Sequence, residues 1–309
     1  MVFSLVSIVL AMLNFLSKNS YHKNNWLKSF TNKIFLNNFK IFVKIIFYYY
    51  IWKILIYMLL YINMEIECIS SVSNEKIKYL KKLKNDPNFI FLETDKVIFE
   101  AIKNNAELIY YLSLNNYNTE IKLNDNTIKY SVSEEILKSL SNLKAPPKCI
   151  AVIKNKFLEF KNPIGNFLVL DNIQDPGNLG TIIRSCLGAN FMDLYLLNCV
   201  RLNNDKVLRS SMGNIFKLRI YEIDKKEFIS KIDKTKKIVY ADMSGKNIFE
   251  YKIKDKIGVV IGNEGNGVSE EIKDICNDTI KIPMLNNLES LNAGVASSII
   301  MYNITFGGK

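Results

Sequence analysis

From residue 64 onward, apolar and polar positions recur in short periodic runs that are typical of a chain mixing helices and strands. Residues 74–84 place Ile77, Leu80 and Leu83 at helical spacing, which predicts a helix with one buried face. The other elements predicted in this region are a strand at 89–93, a helix at 96–104, an apolar segment at 107–112, a helix at 131–143 and a strand at 149–153.

The helix predicted at 131–143 has a sequence signal for its start, because Ser131 is followed three residues later by Glu134 as in a capping box. Its end is marked by the sequence Lys-Ala-Pro-Pro-Lys at 144–148, which breaks the helical pattern. We therefore expect a small α/β domain over residues 64–156 and a second domain over residues 160–309.

The second domain alternates strand and helix patterns more regularly than the first. Short apolar strands are predicted at 167–171, 193–198, 217–223, 237–242, 257–262 and 279–284. Helical patterns start at 178 and cover 225–232, 269–277 and 290–306. This alternation predicts an α/β domain with a largely parallel sheet.

Residues 1–63 differ in composition from the rest, since they hold seven Lys and no Asp, Glu or Arg. They contain apolar runs at 2–15 and 41–62, the second interrupted by Lys44 and Lys53. Three interpretations stay open. The segment is an import leader for an organelle, plastid-type or mitochondrial; it lies upstream of a start at Met64, which gives a cytoplasmic protein; or it is a retained membrane anchor. Membrane contact is expected only through this segment.

Charge and histidine content limit the chemistry of the remaining chain. The formal net charge is +11, of which residues 1–63 contribute seven and residues 64–309 the other four. That mild excess fits a polyanionic partner without requiring one. The chain has one histidine, His22, so a Ser-His-Asp triad, a Cys-His pair and a His-ligated metal are excluded after residue 64, and no metal site is expected.

The five cysteines form no CxxC motif, and their number is odd. We expect them to be reduced and mostly buried. They are Cys68, Cys149, Cys186, Cys199 and Cys276.

Candidate functional residues lie where three predicted strands end, which is where open α/β sheets place their sites. The first is residues 171–185, DNIQDPGNLGTIIRS. We expect Asn178 to cap the helix that follows the Pro176 turn. Arg184 comes close to two turns later, so we expect both side chains to face one ligand. An ordinary capped helix with a solvated Arg is the alternative.

The second junction, residues 259–272, has the sequence VVIGNEGNGVSEEI, in which three glycines surround Glu264. Neither GK[ST] nor the GxGxxG order is present, so a P-loop and a dinucleotide fold are excluded. The acidic start of the next helix opposes phosphate, and the loop better suits a neutral or cationic ligand. A tight turn without a ligand is equally consistent with this segment.

The third junction, residues 281–302, has the sequence KIPMLNNLESLNAGVASSIIMY. It places Ser290 and Asn292 at the start of a predicted helix, where backbone amides are free. The helix is rich in Ala, Gly and Ser, so we expect another element to pack closely against it.

Taken together and in this order, NLGTIIR at 178–184, GNEGNG at 262–267 and IPM with ESLN at 282–292 resemble the three motifs of the SpoU (TrmH-type) branch of the SPOUT RNA methyltransferases. The resemblance implies a trefoil-knotted C-terminal domain and a homodimer that transfers methyl from S-adenosylmethionine to a ribose 2′-oxygen of RNA. Residues 64–156 resemble the small α/β (L7Ae-like) substrate-binding domain that often precedes it. Residues 1–63 have no counterpart in the family.

The resemblance also assigns roles to individual residues. The cofactor pocket is expected to be lined by Gly262, Ile282, Met284 and Leu291. The catalytic set is expected to comprise Arg184, Asn178, Glu264, Ser290 and Asn292, with Arg184 positioning the ribose hydroxyl and the adjacent phosphate. RNA contacts are expected from Arg184, from Arg209 in the family-like segment KVLRSSMGNIF, and from Lys81, Lys82 and Lys84.

The sequence departs from the family pattern at Asn286, where glycine is common, although Asn tolerates the left-handed conformation. The leading hypothesis is 2′-O-methylation of large-subunit rRNA in an organelle. The alternatives are a tRNA 2′-O-methyltransferase and a non-catalytic RNA-binding or ribosome-assembly factor that kept the fold.

Overall fold

The computed structural model describes residues 44, 46–56, 66–115, 117, 121–155, 158–253 and 255–307. By their contacts, residues 1–65 and residues 66–309 form two separate units. Each unit is considered by itself.

In the first unit, residues 46–56 are helical, and Phe47 and Trp52 are exposed. Across the described residues, no helix has both the length and the apolar character needed to cross a membrane. The apolar run at 2–15 and His22 lie outside the described residues, as does part of the second run. The three interpretations of residues 1–63 therefore stay predictions.

The second unit begins with a mixed sheet of five strands, flanked by three helices. The strands are β1 (Glu67–Ile69), β2 (Phe89–Leu92), β3 (Leu108–Leu114), β4 (Ile128–Val132) and β5 (Cys149–Lys154), in the order β1-β4-β3-β5-β2. Strands β1, β4 and β3 are parallel, and β5 is antiparallel to its two neighbours. The helices are α1 (Glu75–Leu83), α2 (Asp95–Lys103) and α3 (Glu134–Leu140).

Helix α1 follows the apolar pattern seen in the sequence, since Ile77, Leu80 and Leu83 are buried against the sheet. The capping box predicted at Ser131 is wrong. Ser131 lies in β4, where it pairs with Cys68 of β1 and Ser113 of β3, and α3 starts after Ser133. Because Ser131 is paired with a strand on each side, it belongs to β4. The helix therefore starts two residues later than the sequence predicts.

The second sheet has six strands, all parallel: β6 (Phe167–Asp171), β7 (Asp193–Leu197), β8 (Arg219–Ile223), β9 (Lys237–Asn247), β10 (Ile257–Ile261) and β11 (Asp278–Lys281). The predicted parallel α/β domain is confirmed. The intervening helices are α4 (Pro176–Gly188), α5 (Asp205–Ser211), α6 (Lys225–Lys231), α7 (Glu270–Lys273) and α8 (Ala293–Phe306), with a 3-10 turn at Asn214–Lys217.

The strand order of this sheet is β11-β9-β10-β6-β7-β8, so the chain first builds outward from β6 to β8 and then continues on the other side. Because all strands are parallel, their carboxyl ends share one edge. The order reverses between β6 and β10, and open α/β sheets bind ligands in the crevice at such a point. The loops after β6 and β10 meet there. The trefoil knot implied by the resemblance stays a prediction.

The two sheets belong to different stretches of chain, the first ending at Lys154 and the second starting at Phe167. One hydrophobic cluster nevertheless includes residues from both, among them Leu92 and Ile98 on one side and Leu208 and Ile215 on the other. An ion pair between Lys217 and Glu100 (2.9 Å) crosses the same boundary. The small N-terminal sheet is therefore held on the parallel sheet by a shared core.

We expect Leu208→Ala to lower the free energy of unfolding by about 2–5 kcal/mol, because the truncation leaves a cavity in that shared core. Urea unfolding followed by circular dichroism measures the change. The matched control is Leu158→Ala, since Leu158 is 44% exposed and its loss is expected to change stability little. Separate unfolding transitions for the two sheets would contradict a shared core.

Candidate functional site

The start of α4 orients the first of the three motif segments. Asp175 caps this helix: its Oδ1 accepts a hydrogen bond from the Asn178 backbone amide (2.8 Å), and Pro176 occupies the first turn. The prediction that Asn178 caps the helix is therefore wrong, because an earlier carboxylate does so. The hydrogen bond from the Asn178 amide, followed by Lys206 at 3.3 Å, lowers the pKa of Asp175. The Asn178 side chain is left available for other contacts.

The amide of Asn178 joins all three motif segments. Its Nδ2 donates to Oε1 of Glu264 in the loop after β10, and its Oδ1 accepts a hydrogen bond from Nδ2 of Asn292 (2.8 Å). Asn292 in turn caps α8, since its Oδ1 accepts hydrogen bonds from the amides of Gly294 (3.0 Å) and Val295 (3.3 Å). Three of the five predicted catalytic residues thus lie in direct contact at the carboxyl edge of the sheet.

Helix α8 was predicted to begin near Ser290, and the structure starts it at Ala293 instead. The Asn292 side chain caps the helix at that point, so Ser290 lies in the preceding loop and is exposed. Asn286 and Asn287 in this loop adopt left-handed conformations, with φ of 57° and 56°. The expectation that Asn286 tolerates this geometry is confirmed.

The Glu264 loop is built around Gly262. A Cβ placed on Gly262 would lie 2.1 Å from the backbone carbon of Gly267, so only glycine fits there. Asn263 pairs with Gly267 through two backbone hydrogen bonds of 3.0 and 2.8 Å, and its Oδ1 accepts from the Gly265 amide (2.8 Å). The Asn263 Nδ2 donates to the Asn172 carbonyl (3.0 Å), which fixes the loop to the end of β6.

The buried carboxylate of Asp171 stabilises the end of the same loop. Asp171 ends β6, its side chain is 2% exposed, and its Oδ2 accepts from the Ser269 amide (2.8 Å) and hydroxyl (2.6 Å). Lys225 lies 3.1 Å from the other carboxylate oxygen and donates to the Ser269 hydroxyl (2.8 Å). Sequence reasoning missed this group, although a charged residue ending the apolar strand FLVLD was the available signal.

A cavity of about 200 Å³ opens beside the Asn178 contacts, at the carboxyl ends of β10 and β11 and beside the middle of β9. We call it the β9–β11 cavity. All four predicted cofactor residues line it, together with Glu264 and Ser290; they are Gly262, Ile282, Met284 and Leu291. Ala241, Asp242 and Met243 in the middle of β9 also line it and were not predicted.

The chemistry of the β9–β11 cavity favours a ligand that is partly apolar and carries positive charge. Its lining consists mainly of aliphatic residues and glycine, and it includes two acidic residues, Asp242 and Glu264, against one basic residue, Lys281. Backbone and side-chain hydrogen bonds from Ser244 lower the pKa of Asp242, which keeps that carboxylate charged. A sulfonium compound fits these walls better than a phosphate.

Arg184 lies apart from the Asn178 contacts. Six residues at 3.6 per turn leave two side chains about 120° apart around a helix, so the expectation that Arg184 and Asn178 share a face is wrong in its geometry. Arg184 is exposed, and no hydrogen bond or ion pair joins it to the described residues. Its guanidinium is therefore available to a ligand that approaches from solvent.

Lys84 was predicted to bind RNA, but in the structure its ammonium group contacts other groups of the protein. Its Nζ donates to the Leu140 carbonyl (2.6 Å) and lies 3.7 Å from Asp205 Oδ2 and 4.0 Å from Glu93 Oε1. Burial, and then the neighbouring charge of Asp205, raise the pKa of the Glu93 carboxyl. Lys84 offsets these buried negative charges and links the two sheets, so its assignment to RNA is wrong.

The other predicted RNA contacts remain on the surface. Arg209 on α5 and Lys82 on α1 are exposed, and Lys81 is half-buried. None of these three side chains forms an ion pair within the described part of the chain.

Close packing of α4 on α8 brings the first and third motifs together. The hydroxyls of Ser185 and Ser298 lie 2.7 Å apart across this contact. The close neighbour predicted for the small-residue helix is therefore α4. On its other side α4 meets α5, where a Cβ on Gly180 would lie 1.8 Å from Ser210 Oγ.

No thiol in this region is activated. Burial raises the pKa of Cys199 and of Cys276 to about 12, and it raises the pKa of Cys186 further. Cys149 and Cys186 are buried, Cys199 and Cys276 are half-buried, and Cys68 is exposed. Among the described residues, no group of His, Cys, Asp and Glu side chains is placed to hold a metal ion.

Comparison with known proteins finds a family model that matches part of this chain. Residues 165–302, which include all three motif segments, match the model of the SpoU rRNA Methylase family. The chain is also 26% identical over 245 residues to the 23S rRNA (guanosine(2553)-2′-O)-methyltransferase RlmP of Bacillus subtilis, covering 76% of this chain and 98% of that protein.

Solved structures match about three quarters of this chain. An AdoMet-bound rRNA methyltransferase from Sinorhizobium meliloti superposes with a TM-score of 0.69 at 17% identity, covering 77% of this chain and 97% of that one. The SpoU methyltransferase AviRb from Streptomyces viridochromogenes, in complex with AdoMet, gives 0.68 at 21% identity, covering 75% and 97%. At these identities the likeness shows the fold alone.

We expect Gly262→Ala to unfold the Glu264 loop, because the added carbon would overlap the Gly267 backbone. Hydrogen exchange at residues 262–269, followed by mass spectrometry, is expected to lose protection. Gly265→Ala is the matched control, since the nearest atom to its Cβ would be a side-chain oxygen at 3.3 Å. Equal protection in the two variants would contradict the steric argument.

Proposed function

We propose that this protein transfers a methyl group from S-adenosylmethionine to a ribose 2′-oxygen of RNA. The observation that carries the proposal is the Asn178 amide, which holds the Glu264 loop and the start of α8 together beside the β9–β11 cavity. The residues of that cavity fit the methyl donor: glycine backbone and aliphatic side chains for its apolar parts, and carboxylates for its positive charge. When bound, the donor supplies an electrophilic methyl carbon.

The reaction would join the ribose oxygen to the methyl carbon, leave the electron pair of the broken carbon–sulfur bond on the sulfur as a neutral thioether, and release the hydroxyl proton to solvent. No imidazole follows residue 22, so other groups must hold the hydroxyl and release its proton. Both polar atoms of the Asn178 side chain are occupied by protein partners, which makes it a positioning residue. Arg184 is the residue we assign to the hydroxyl and the neighbouring phosphate, because its guanidinium is exposed on the motif helix.

RNA is the proposed substrate class, with large-subunit rRNA preferred over tRNA. A relative aligned over 98% of its own length is named for methylating 23S rRNA, which supports this preference. The exposed Arg184, Arg209 and Lys82 supply positive charge for the phosphates. An organellar location rests on the acid-free composition of residues 1–63 alone.

We also propose that the protein acts as a homodimer. Val295, Tyr302 and Phe306 of α8 are 46%, 47% and 50% exposed, and their spacing of seven and four residues puts them on one helix face. Leu285 and Leu288 in the preceding loop are exposed as well. An apolar stripe that continues into a motif loop suits a second copy of the chain.

We expect Arg184→Ala to abolish methyl transfer to RNA while S-adenosylmethionine still binds, because Arg184 lies outside the β9–β11 cavity. Transfer of labelled methyl to total RNA measures the first effect, and calorimetry measures the second. Arg184→Lys, which keeps the charge but not the planar fork, is expected to recover part of the activity at most.

Full activity in Arg184→Ala would refute the role of Arg184. A wild-type chain that does not bind S-adenosylmethionine would refute the proposed function and favour a non-catalytic RNA-binding factor. If the label enters only tRNA, the substrate is tRNA and the preference for rRNA is wrong.

We expect the double variant Val295→Glu and Phe306→Glu to be monomeric, because the added charges would be buried between two copies. Light scattering after size-exclusion chromatography measures the mass. Phe99→Glu is the control, since Phe99 is 54% exposed on α2 of the N-terminal sheet. A monomeric wild-type chain would contradict the homodimer.

A further inference from the structure

A second cavity, of about 690 Å³, opens on the same edge of the parallel sheet as the candidate site. It lies at the carboxyl ends of β7 and β8, and we call it the β7–β8 pocket. The residues that matter for its chemistry are Asn198, Arg201, Asn203, Glu222, Lys226 and Glu271. None of them belongs to the three motif segments that resemble the family pattern.

A series of three hydrogen bonds joins the β7–β8 pocket to the candidate site. Asn198 Nδ2 donates to Asn172 Oδ1 (3.2 Å), and the Asn172 carbonyl accepts from Asn263, the neighbour of Glu264 (3.0 Å). Gln174 closes the same connection by donating to the Asn198 carbonyl (2.7 Å). The β7–β8 pocket is therefore connected to the Glu264 loop through Asn172 and Asn263.

The charges in the pocket suit a nucleotide, with an uncharged base inside and negatively charged phosphates at the rim. Lys225 is held between Asp171 (3.1 Å) and Glu271 (3.6 Å), and Asp224 caps α6. Arg201 and Lys226 are exposed, and neither forms a salt bridge with the described residues. They are therefore available to phosphates at the rim.

Inside the pocket, the polar groups suit the edge of a nucleobase. The amides of Asn198 and Asn203 offer both donors and acceptors, and the Glu222 carboxyl accepts the Leu202 amide (3.1 Å). Cys199 also lines the pocket, but its thiol donates to the Leu170 carbonyl (3.3 Å), and burial raises its pKa to about 12. The pocket is equipped to bind and holds no activated nucleophile.

The N-terminal sheet contributes to the same pocket. Pro87, which precedes β2, and Asn155, which follows β5, lie in its wall. Asn155 Nδ2 donates to the Pro87 carbonyl (3.0 Å), so the two form one fixed side. The pocket is therefore lined by residues of both sheets.

We propose that the β7–β8 pocket binds the base of a nucleotide near the methylated ribose, with Arg201 and Lys226 on the adjoining phosphates. This inference rests on the proposed function, because it takes RNA as the substrate. The occupant is a single unpaired nucleotide, since single-stranded bases are the ones that protein pockets can enclose.

The test compares three variants of the full chain. Asn203→Trp fills the pocket without changing charge. Lys226→Ala removes a rim cation at the start of α6. Lys234→Ala is the matched control, because Lys234 is also an exposed lysine but lies beyond the other end of α6. Each chain is titrated, in the presence of S-adenosylmethionine, into a fluorescein-labelled single-stranded RNA of mixed sequence and about ten nucleotides.

We expect Asn203→Trp to weaken RNA binding by about tenfold, the size of one lost base contact, with calorimetric S-adenosylmethionine binding unchanged. Lys226→Ala is expected to reduce the slope of log affinity against log salt concentration by about one, as for one lost phosphate contact. Lys234→Ala is expected to match the wild type in both measurements. A thiouridine-containing RNA is expected to crosslink to residues 198–203 in the wild type and not in Asn203→Trp.

The inference is overturned if Asn203→Trp and Lys226→Ala both bind the RNA like Lys234→Ala, or if crosslinks form only outside the pocket. Absence of RNA binding by a wild-type chain that binds S-adenosylmethionine also overturns it. Absence of S-adenosylmethionine binding by the wild type is a different result, which refutes the proposed function itself. Should Asn203→Trp fail to fold, the salt slope of Lys226→Ala still decides the rim contacts.

Discussion

The candidate site depends on one side-chain amide, that of Asn178. An amide is both a donor and an acceptor, and here the donor meets the Glu264 carboxylate while the acceptor meets the Asn292 amide. Aspartate could not donate to Glu264 and would repel it, and an aliphatic residue would leave both partners unpaired. Each partner also controls its own element, since Glu264 belongs to the glycine loop and Asn292 caps α8. One residue type at one position therefore sets the relation among three distant parts of the sequence.

That contact is possible only because the backbone approaches closely around it. Gly262 admits the Gly267 backbone, and Gly180 admits Ser210, in places where any Cβ would overlap. The buried Asp171 adds a charged anchor below the loop, satisfied by Ser269 and Lys225. These contacts fix the loops of the site to the rigid edge of the sheet. Such rigidity is needed to hold reacting atoms in position.

Local signals in the sequence were enough for the parallel sheet and the buried face of α1, and the resemblance to a family pointed to four of the residues that line the β9–β11 cavity. They failed where long-range contacts decide. Ser131 carries a capping signal, but strand pairing on both sides keeps it in β4. Asp175 competes with Asn178 for the start of α4, and spacing along the chain does not show which one wins. Lys84 reads as a surface lysine in a basic helix, and only the tertiary fold places two buried carboxylates beside it.

The placement of Lys84 bears on how an RNA could be selected. A lysine that pairs with Glu93 and Asp205 fixes the N-terminal sheet to α5, and a shared hydrophobic core reinforces the contact. The two sheets then present one surface whose shape is set before RNA arrives. Under the proposed function, a rigid surface selects among RNAs by shape. A nucleotide reaches the Glu264 loop only if the neighbouring nucleotides also fit the surface between the two sheets. The β7–β8 pocket is lined by both sheets, since Pro87 and Asn155 of the N-terminal part meet Asn198 and Asn203 there, so under the proposed function its shape is fixed by the same contact.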